Sequence, residues 1–204
     1  MRAVAQGAPL AQLRELMLAE GGELAGAIVE DPRPEALAPL LAASERCAER
    51  ADDYGLMIES ILEGYLVHYG RPRLLEPPDE NLRLLAGDYL YALGLARLAA
   101  LGDLPAVLQL ADVIGLSAEA HAGPEPPAPE LPEAIWAIGA LGVAGGPWPH
   151  GEEAKERLRV GVAGAPATAL DAALRRAAAL GIEQEARRAL IAFNGQRLRE
   201  PDST

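Results

Sequence analysis

The chain has 204 residues and a formal net charge of −12; half of its residues are hydrophobic, but only 4% are aromatic. This length fits one domain with a sizeable core, which must be built mainly from Leu, Ala, Ile and Val. A strongly acidic surface repels phosphate backbones, so the charge argues against nucleic acid as a partner. The single cysteine, Cys47, excludes an intramolecular disulfide and a Cys-based zinc site.

The sequence also argues against membrane insertion. No basic segment followed by an apolar run of the right length occurs at its beginning, as a secretory signal peptide would require. The longest apolar run, Ala134 to Trp148, has about 15 residues and contains glycines, whereas a membrane span needs about 20. We therefore expect a cytoplasmic protein without a membrane span, in which this run forms a buried helix and its exit.

The first part of the chain predicts three helical stretches. Apolar residues at helical spacing predict a helix from Pro9 to Glu20, and a short helix follows from Glu23 to Val29. A long stretch from about Glu35 to Val67 is also helical, with a bend expected near residues 52–55. The Gly70-Arg71-Pro72 segment ends it, because the residue before proline avoids helix and glycine terminates one easily.

The most apolar predicted helix follows, from Asp79 to about Leu101. Asp79 is a suitable N-cap, and Glu80 lies in the first turn, where the helix dipole favours a negative charge. Because apolar residues occur on nearly all faces of this helix, we expect it to lie at the centre of the fold. A turn at Gly102 leads into the next predicted helix, Leu104 to about Ala120.

Residues 123–132 (GPEPPAPELP) predict an extended, semi-rigid linker. The linker separates a helical part at residues 9–122 from a smaller one at residues 133–200, within a single domain of residues 1–204. No segment shows the alternation of a strand, so the sequence predicts an all-α fold. The predicted helices after the linker are Glu133–Val143, one from about Gly151, Ala167–Leu180 and Ile182–Arg199.

Two glutamates are candidates for a metal site. Glu59 and Glu63 are four residues apart on one face of a predicted helix. Magnesium prefers carboxylate oxygens, so such a pair would supply half of a magnesium site, to which His68 would add a ligand. An exposed acidic face has the same spacing, and the spacing alone favours that alternative. No Glu-x-x-His pair occurs, so the sequence does not support a di-iron bundle.

Other catalytic patterns are not found in the sequence. The three histidines suggest no Ser/His/Asp arrangement, and Cys47 lies on a predicted helix, where a lone cysteine usually serves packing. No glycine-rich phosphate loop occurs either.

Gly87 and Asp88 interrupt the most apolar helix. Glycine inside a helix costs about 1 kcal/mol relative to alanine, so Gly87 predicts a close packing neighbour. Asp88 is costly to bury unless it is paired or borders a site; an exposed stripe is the alternative.

The stretch from Leu84 to Ala96 (LLAGDYLYALGLA) resembles the trans-isoprenyl diphosphate synthases, in which a Leu-Ala-Gly-Asp-aromatic-Leu run marks a central helix. In that family a DDxxD segment on a preceding helix is followed by Arg-Arg-Gly-Lys/Arg-Pro. Gly70 precedes Gly87 by 17 residues, close to the family's spacing. This register puts Glu59 and Glu63 at the first and last acidic positions of DDxxD and a serine at the second. The resemblance covers about residues 34–122 and implies a truncated isoprenoid-synthase-like helical bundle.

The same register shows which catalytic features are missing. The arginine pair is replaced by His68-Tyr69, and the family's N-terminal Gly-Lys-Arg falls near Gly22-Glu23-Leu24. No Lys-Thr pair follows the linker, and no second aspartate-rich motif occurs from Ala134 to Thr204. Ionising an allylic diphosphate needs magnesium held by two carboxylate clusters, together with cationic side chains. We therefore expect no cofactor, or magnesium only if the degenerate acidic pair is functional.

The resemblance implies a noncatalytic, regulatory subunit of a heteromeric polyprenyl diphosphate synthase. Its expected partners are a catalytic synthase subunit or a second copy of itself, together with an isoprenoid chain. A divergent magnesium-dependent prenyltransferase and an unrelated helical scaffold or ligand-binding bundle are the alternatives. The resemblance assigns substrate binding to Tyr65, Tyr69, Arg71 and Asp88.

The apolar excess on the Asp79–Leu101 helix also predicts a surface covered by another chain. We expect this interface to use that helix and its neighbour, Leu104 to Ala120. The residues expected to form core and interface are Leu84, Leu85, Tyr89, Leu90 and Leu93.

Overall fold

A computed structural model describes residues 8–30 and 32–197, and within them the protein is all-α, as predicted. An isolated antiparallel bridge joins Ile28 and Leu75, and no strand forms in the described residues. The predicted end of the last helix, at Arg199, lies outside these residues. The helices are α1 (Pro9–Glu20), α2 (Gly22–Gly26), α3 (Ala38–Ala43), α4 (Glu45–Ala48), α5 (Ala51–Tyr69), α6 (Glu80–Ala100), α7 (Leu104–His121), α8 (Glu130–Gly145), α9 (Pro149–Arg159), α10 (Ala165–Ala179) and α11 (Glu183–Arg197).

The long helix expected from Glu35 to Val67 is three separate helices. The first break is at Ser44, whose backbone is extended and whose hydroxyl donates to the Leu41 carbonyl oxygen at 2.8 Å. The second break is at Arg50, whose backbone also leaves the helical region (φ −129°, ψ 38°) before α5 begins. The bend expected near residues 52–55 corresponds to this break, which lies slightly earlier in the chain, and residues 52–55 themselves belong to α5.

The centre of the fold is formed by α5 and α8. All residues of α5 from Tyr54 to Val67 are buried, as are all residues of α8 from Ala134 to Ala144. The expectation that α6 would be central is therefore wrong. In α6 only one stripe is buried, and other apolar side chains of the helix face solvent. The buried stripe consists of Leu82, Ala86, Gly87, Leu90, Gly94 and Leu98.

Two hydrophobic cores share α5. The larger core contains residues of every helix from α3 to α11, and the smaller core contains residues of α1, α5 and α6. The larger core includes residues from both sides of the proline-rich segment, because α8 packs against both α7 and α10. Helix α8 begins at Glu130, so Pro132 lies in its first turn, where proline is tolerated.

Glycines allow α5 and α6 to approach closely. A Cβ atom at Gly87 would lie 2.3 Å from Nε2 of His68, which is the close neighbour that the sequence predicted. A Cβ atom at Gly94 would lie 2.4 Å from Cγ1 of Ile61 and 3.0 Å from the main-chain oxygen of Met57. Since Ile61 is fully buried, little room exists for it to move.

Replacing Gly94 tests this close packing. Gly94→Ala should destabilise the protein by about 1–3 kcal/mol, because overpacking outweighs the better helix propensity of alanine. Gly115→Ala in α7 is the matched control; no atom lies within 4 Å of its Cβ position. The control should stabilise the protein by up to about 1 kcal/mol. Urea denaturation followed by circular dichroism measures both, and equal effects would contradict the close packing of α5 on α6.

A polar cluster around Asp103 connects four helices. Arg46 of α4 donates to both carboxylate oxygens of Asp103, at 2.6 and 2.7 Å, and to the Val143 carbonyl oxygen of α8 at 2.7 Å. Tyr54 of α5 donates to Asp103 at 2.6 Å, and Asp103 also caps α7 by accepting from the amide of Ala106. Burial, reinforced by the hydrogen bond to Asp103, raises the pKa of Tyr54 to about 12. Burial alone would raise the pKa of Asp103, but hydrogen bonds from Arg46 and Tyr54 outweigh it and lower that pKa.

The lowered pKa of Asp103 makes stability depend on pH. Its folded pKa lies below the unfolded value of about 3.9, so the stabilisation is present above that value and is lost as pH falls through the folded pKa. Asp103→Asn should cost about 2 kcal/mol at neutral pH, because charged hydrogen bonds are lost. Thermal melts of both proteins at neutral and acidic pH should show this difference shrinking as pH falls below about 4. If the stability difference between the wild type and Asp103→Asn stayed constant with pH, the charge of Asp103 would not be its source.

Candidate functional site

The acidic pair of the predicted metal site lies in the protein interior. Glu59 and Glu63 of α5 are both 0% exposed, and Arg73, which follows α5, is 1% exposed. Arg73 Nε donates to Oε2 of Glu63 at 2.9 Å, while its Nη1 donates to Oε2 of Glu59. Its Nη2 also donates to the main-chain oxygen of Glu59 at 3.1 Å. The guanidinium of Arg73 therefore bridges the two carboxylates.

Main-chain amides bind the other oxygen of each carboxylate. Oε1 of Glu59 accepts from the amides of residues 36–38 at 3.0, 2.7 and 2.7 Å. Oε1 of Glu63 accepts from the amides of Arg73 and Leu74 at 2.7 and 2.8 Å. The residue before α3 provides no side-chain cap, so Glu59 satisfies the free amides at the start of that helix from a different helix. The pair thus fixes two loops as well as Arg73.

The cluster combines two carboxylates with one guanidinium in a dry environment. Burial alone would lower the pKa of Arg73, but the charges of Glu59 and Glu63 and their hydrogen bonds outweigh it and raise that pKa. The positive ends of the amide dipoles at residues 36–38 face the carboxylate of Glu59 and offset its negative charge. The arrangement holds charge in place and leaves no carboxylate oxygen without a protein donor.

This geometry differs from both sequence-based interpretations of the pair. Glu59 and Glu63 do not form an exposed acidic face, and their facing oxygens accept from Arg73. His68, proposed as a third ligand, has its Nε2 3.3 Å from the carboxylate of Asp88. Among the residues that the structure describes, no group of three or more His, Cys, Asp or Glu is placed to hold a metal ion.

Tyr65 and Tyr69, predicted to bind substrate, belong to an aromatic cluster. Tyr65 is fully buried, with its ring centroid 5.4 Å from that of Trp136 and 5.5 Å from that of Tyr69. Tyr69 is half-buried and stacks on His121, with the ring centroids 4.2 Å apart. The structure therefore brings the two tyrosines together, but places Tyr65 inside the larger core.

Asp88 and Arg71, the other two predicted substrate-binding residues, are near the surface. Asp88 is exposed on α6, which fits the alternative of an exposed stripe. Burial raises the pKa of Tyr69, and the charge of Asp88 adds to this effect, so Asp88 borders the aromatic cluster. Arg71 is half-buried beside Arg33, whose pKa is lowered first by burial and then by the charge of Arg71.

The predicted interface residues divide into two groups. Leu84 and Leu85 are exposed, and Leu85 retains 67% of its accessible surface. Leu90 is fully buried in the smaller core, while Tyr89 and Leu93 are half-buried against it.

Helix α7 adds Leu104 and Leu108, each 66% exposed. Sequence reasoning named that helix but not these two leucines, although their spacing of four residues on one helix face was available.

Removing the bridging arginine tests the buried cluster. Arg73→Ala should destabilise the protein by about 3–5 kcal/mol, because two buried carboxylates lose their counter-charge. Arg71→Ala is the matched control; this partly exposed neighbour should contribute less than about 1 kcal/mol. Denaturation in urea measures both changes. If Arg73→Ala were no more destabilising than Arg71→Ala, the cluster would not hold the fold as described.

Comparison with known proteins gives no relative. No protein-family model matches the chain, and it has no significant match among curated proteins or solved structures. Within residues 8–30 and 32–197, no helix is both long and apolar enough to cross a membrane.

Proposed function

We propose that the chain is a noncatalytic subunit of a heteromeric polyprenyl diphosphate synthase. The observation that carries the proposal is the bridge from Arg73 to Glu59 and Glu63. In the register of the family resemblance, these two glutamates take acidic positions of the magnesium-binding motif. Their oxygens are bound to the protein's own donors, so a chain of this kind would depend on a catalytic partner for magnesium-assisted diphosphate release.

The outer surface of α6 and α7 is the place proposed for that partner. This surface, called the α6–α7 face below, has exposed leucines toward the start of each helix. Three residues separate the two helices, and each helix carries one pair of exposed leucines near its start. The residues that define the face are Leu84, Leu85, Asp88, Ala92, Ala96, Leu104, Leu108, Ala111 and Gly115, all exposed, and Asp88 is the charged residue among them.

The composition of the α6–α7 face fits a protein partner. Large apolar residues such as Leu85 and Leu108 are costly to leave in water, and stable interfaces bury about 800 Å² per partner around apolar anchors. The small residues between the leucines, such as Ala92 and Ala96, would let a helix of the partner approach closely. In this proposal the leucines also border the isoprenoid tail growing on the catalytic subunit and help to limit its length.

Coexpression with an intact polyprenyl diphosphate synthase from the same genome tests the proposal. The two chains should copurify and sediment as one species, and the product lengths should differ from those of the synthase alone. The double variant Leu85→Glu, Leu108→Glu should abolish association, because it places an uncompensated charge on each helix of the interface. Ile191→Glu on α11 is the matched control: Ile191 is 74% exposed but lies outside the face. Circular dichroism should show all variants folded.

The other outcomes separate the alternatives. Turnover of isopentenyl and allylic diphosphates by the chain alone with magnesium, lost in a Glu59→Gln variant that circular dichroism shows to be folded, would favour a divergent prenyltransferase. Self-association that depends on Leu85 and Leu108 would assign the face to a homodimer. A chain that binds neither the synthase nor itself would overturn the subunit proposal and favour an unrelated helical scaffold.

A further inference from the structure

An open cleft lies between α9 and α10, well apart in sequence from the glutamate cluster. Its volume is about 390 Å³, within the range of small-ligand sites. One wall contains Trp148 and several alanines, and the polar part contains the arginines Arg157, Arg175 and Arg176. Three arginines around one cleft are unusual for a chain with a net charge of −12, so the cleft concentrates positive charge on an acidic protein.

Two of these arginines have buried donors without an acceptor. The Nε atoms of Arg157 and Arg176 are both buried, and neither has a hydrogen-bond partner among the described residues. Arg176 donates from Nη2 to the Gly145 carbonyl oxygen at 2.5 Å, and its guanidinium lies 5.5 Å from the ring centroid of Trp148. These Nε atoms are out of reach of solvent, so an acceptor in the cleft would contact the outer nitrogens of the two guanidinium groups.

The charge of the lining favours a dianion. Three arginines and Glu153 give the lining a net charge of +2 when His150 is neutral, and the carboxylate of Asp171, which pairs with Arg175, reduces it to +1. A phosphate monoester carries a charge of about −1.5 to −2 at neutral pH, whereas a single carboxylate carries only −1. Guanidinium groups also match phosphate oxygens through paired hydrogen bonds. The lining therefore fits a phosphate better than a carboxylate.

The remaining contacts restrict how a ligand would lie. Arg175 is exposed and forms an ion pair with Asp171, so it serves as an outer charge rather than an inner donor. The hydroxyl of Thr168 already donates to the Gly164 carbonyl oxygen at 3.1 Å. The inner donors left for a phosphate are therefore Arg157 and Arg176, beside the apolar wall at Trp148.

We propose that this cleft binds a small phosphate monoester with an apolar group. The phosphate contacts Arg157 and Arg176, and the apolar group lies against Trp148 and the neighbouring alanines. This site is independent of the subunit proposal, because none of its residues belongs to the α6–α7 face or to the glutamate cluster.

Titration calorimetry of the intact chain with three probes tests the proposal. Phenyl phosphate should bind more tightly than inorganic phosphate, which lacks the apolar group, and more tightly than benzoate, which lacks the second charge. Arg157→Gln should weaken phenyl phosphate binding at least about tenfold, because a charge-assisted hydrogen bond is lost. Arg188→Gln is the matched control, an exposed arginine on α11 that should leave binding unchanged. Fluorescence of Trp148 should change on binding, and Trp148→Phe should remove that change.

A second variant keeps the test independent of folding. Ala179→Glu places a negative charge at an exposed position of the cleft lining, so it should retain the fold and weaken phenyl phosphate binding by repulsion. The proposal is overturned if wild-type protein does not bind phenyl phosphate, or if benzoate binds as tightly. It is also overturned if Ala179→Glu, or a folded Arg157→Gln, binds as the wild type does.

Discussion

The ion bridge from Arg73 to Glu59 and Glu63 joins three segments that are distant in the sequence. Glu59 holds the first turn of α3, Glu63 holds the loop after α5, and Arg73 connects the two carboxylates. Removing charges from water costs several kcal/mol per ion, so such a cluster persists only when every partner is in place. The apolar residues of α5 can then pack on all sides, because the polar part of this buried helix is already satisfied inside the protein.

A divalent cation has two roles in a carboxylate site, and Arg73 can perform one of them. A metal ion neutralises the carboxylates and thereby keeps them close, and it supplies Lewis-acid chemistry. Arg73 supplies the first role, since its guanidinium is held charged between the glutamates. It has no vacant coordination position with which to supply the second. In the proposed subunit, the bundle therefore keeps its shape without the cation, and its exposed leucines become its main means of contributing to catalysis.

Local signals allowed part of this fold to be predicted. Helix α1 has the bounds expected from its apolar spacing, and Asp79 caps α6 by accepting from the Leu82 amide at 2.8 Å. The breaks at Ser44 and Arg50 have no glycine or proline at those positions to mark them in the sequence. Arg73 could not be predicted as the partner of the glutamates, because it lies on another element. An acidic pair at i, i+4 has the same spacing whether it faces solvent, a metal ion or an arginine.

The two proposed surfaces are connected physically through α9. Lys155, the single lysine of the chain, is buried and binds Asp112 of α7 at 2.8 Å, while Arg157 of the same helix lines the cationic cleft. Asp112 lies one helical turn after Leu108 of the α6–α7 face. Coupling between two sites requires an element with two arrangements, each favoured by one ligand. The structure shows one arrangement of α9 against α7, with Lys155 paired to Asp112, so we expect a ligand in the cleft and a partner on the face to bind independently.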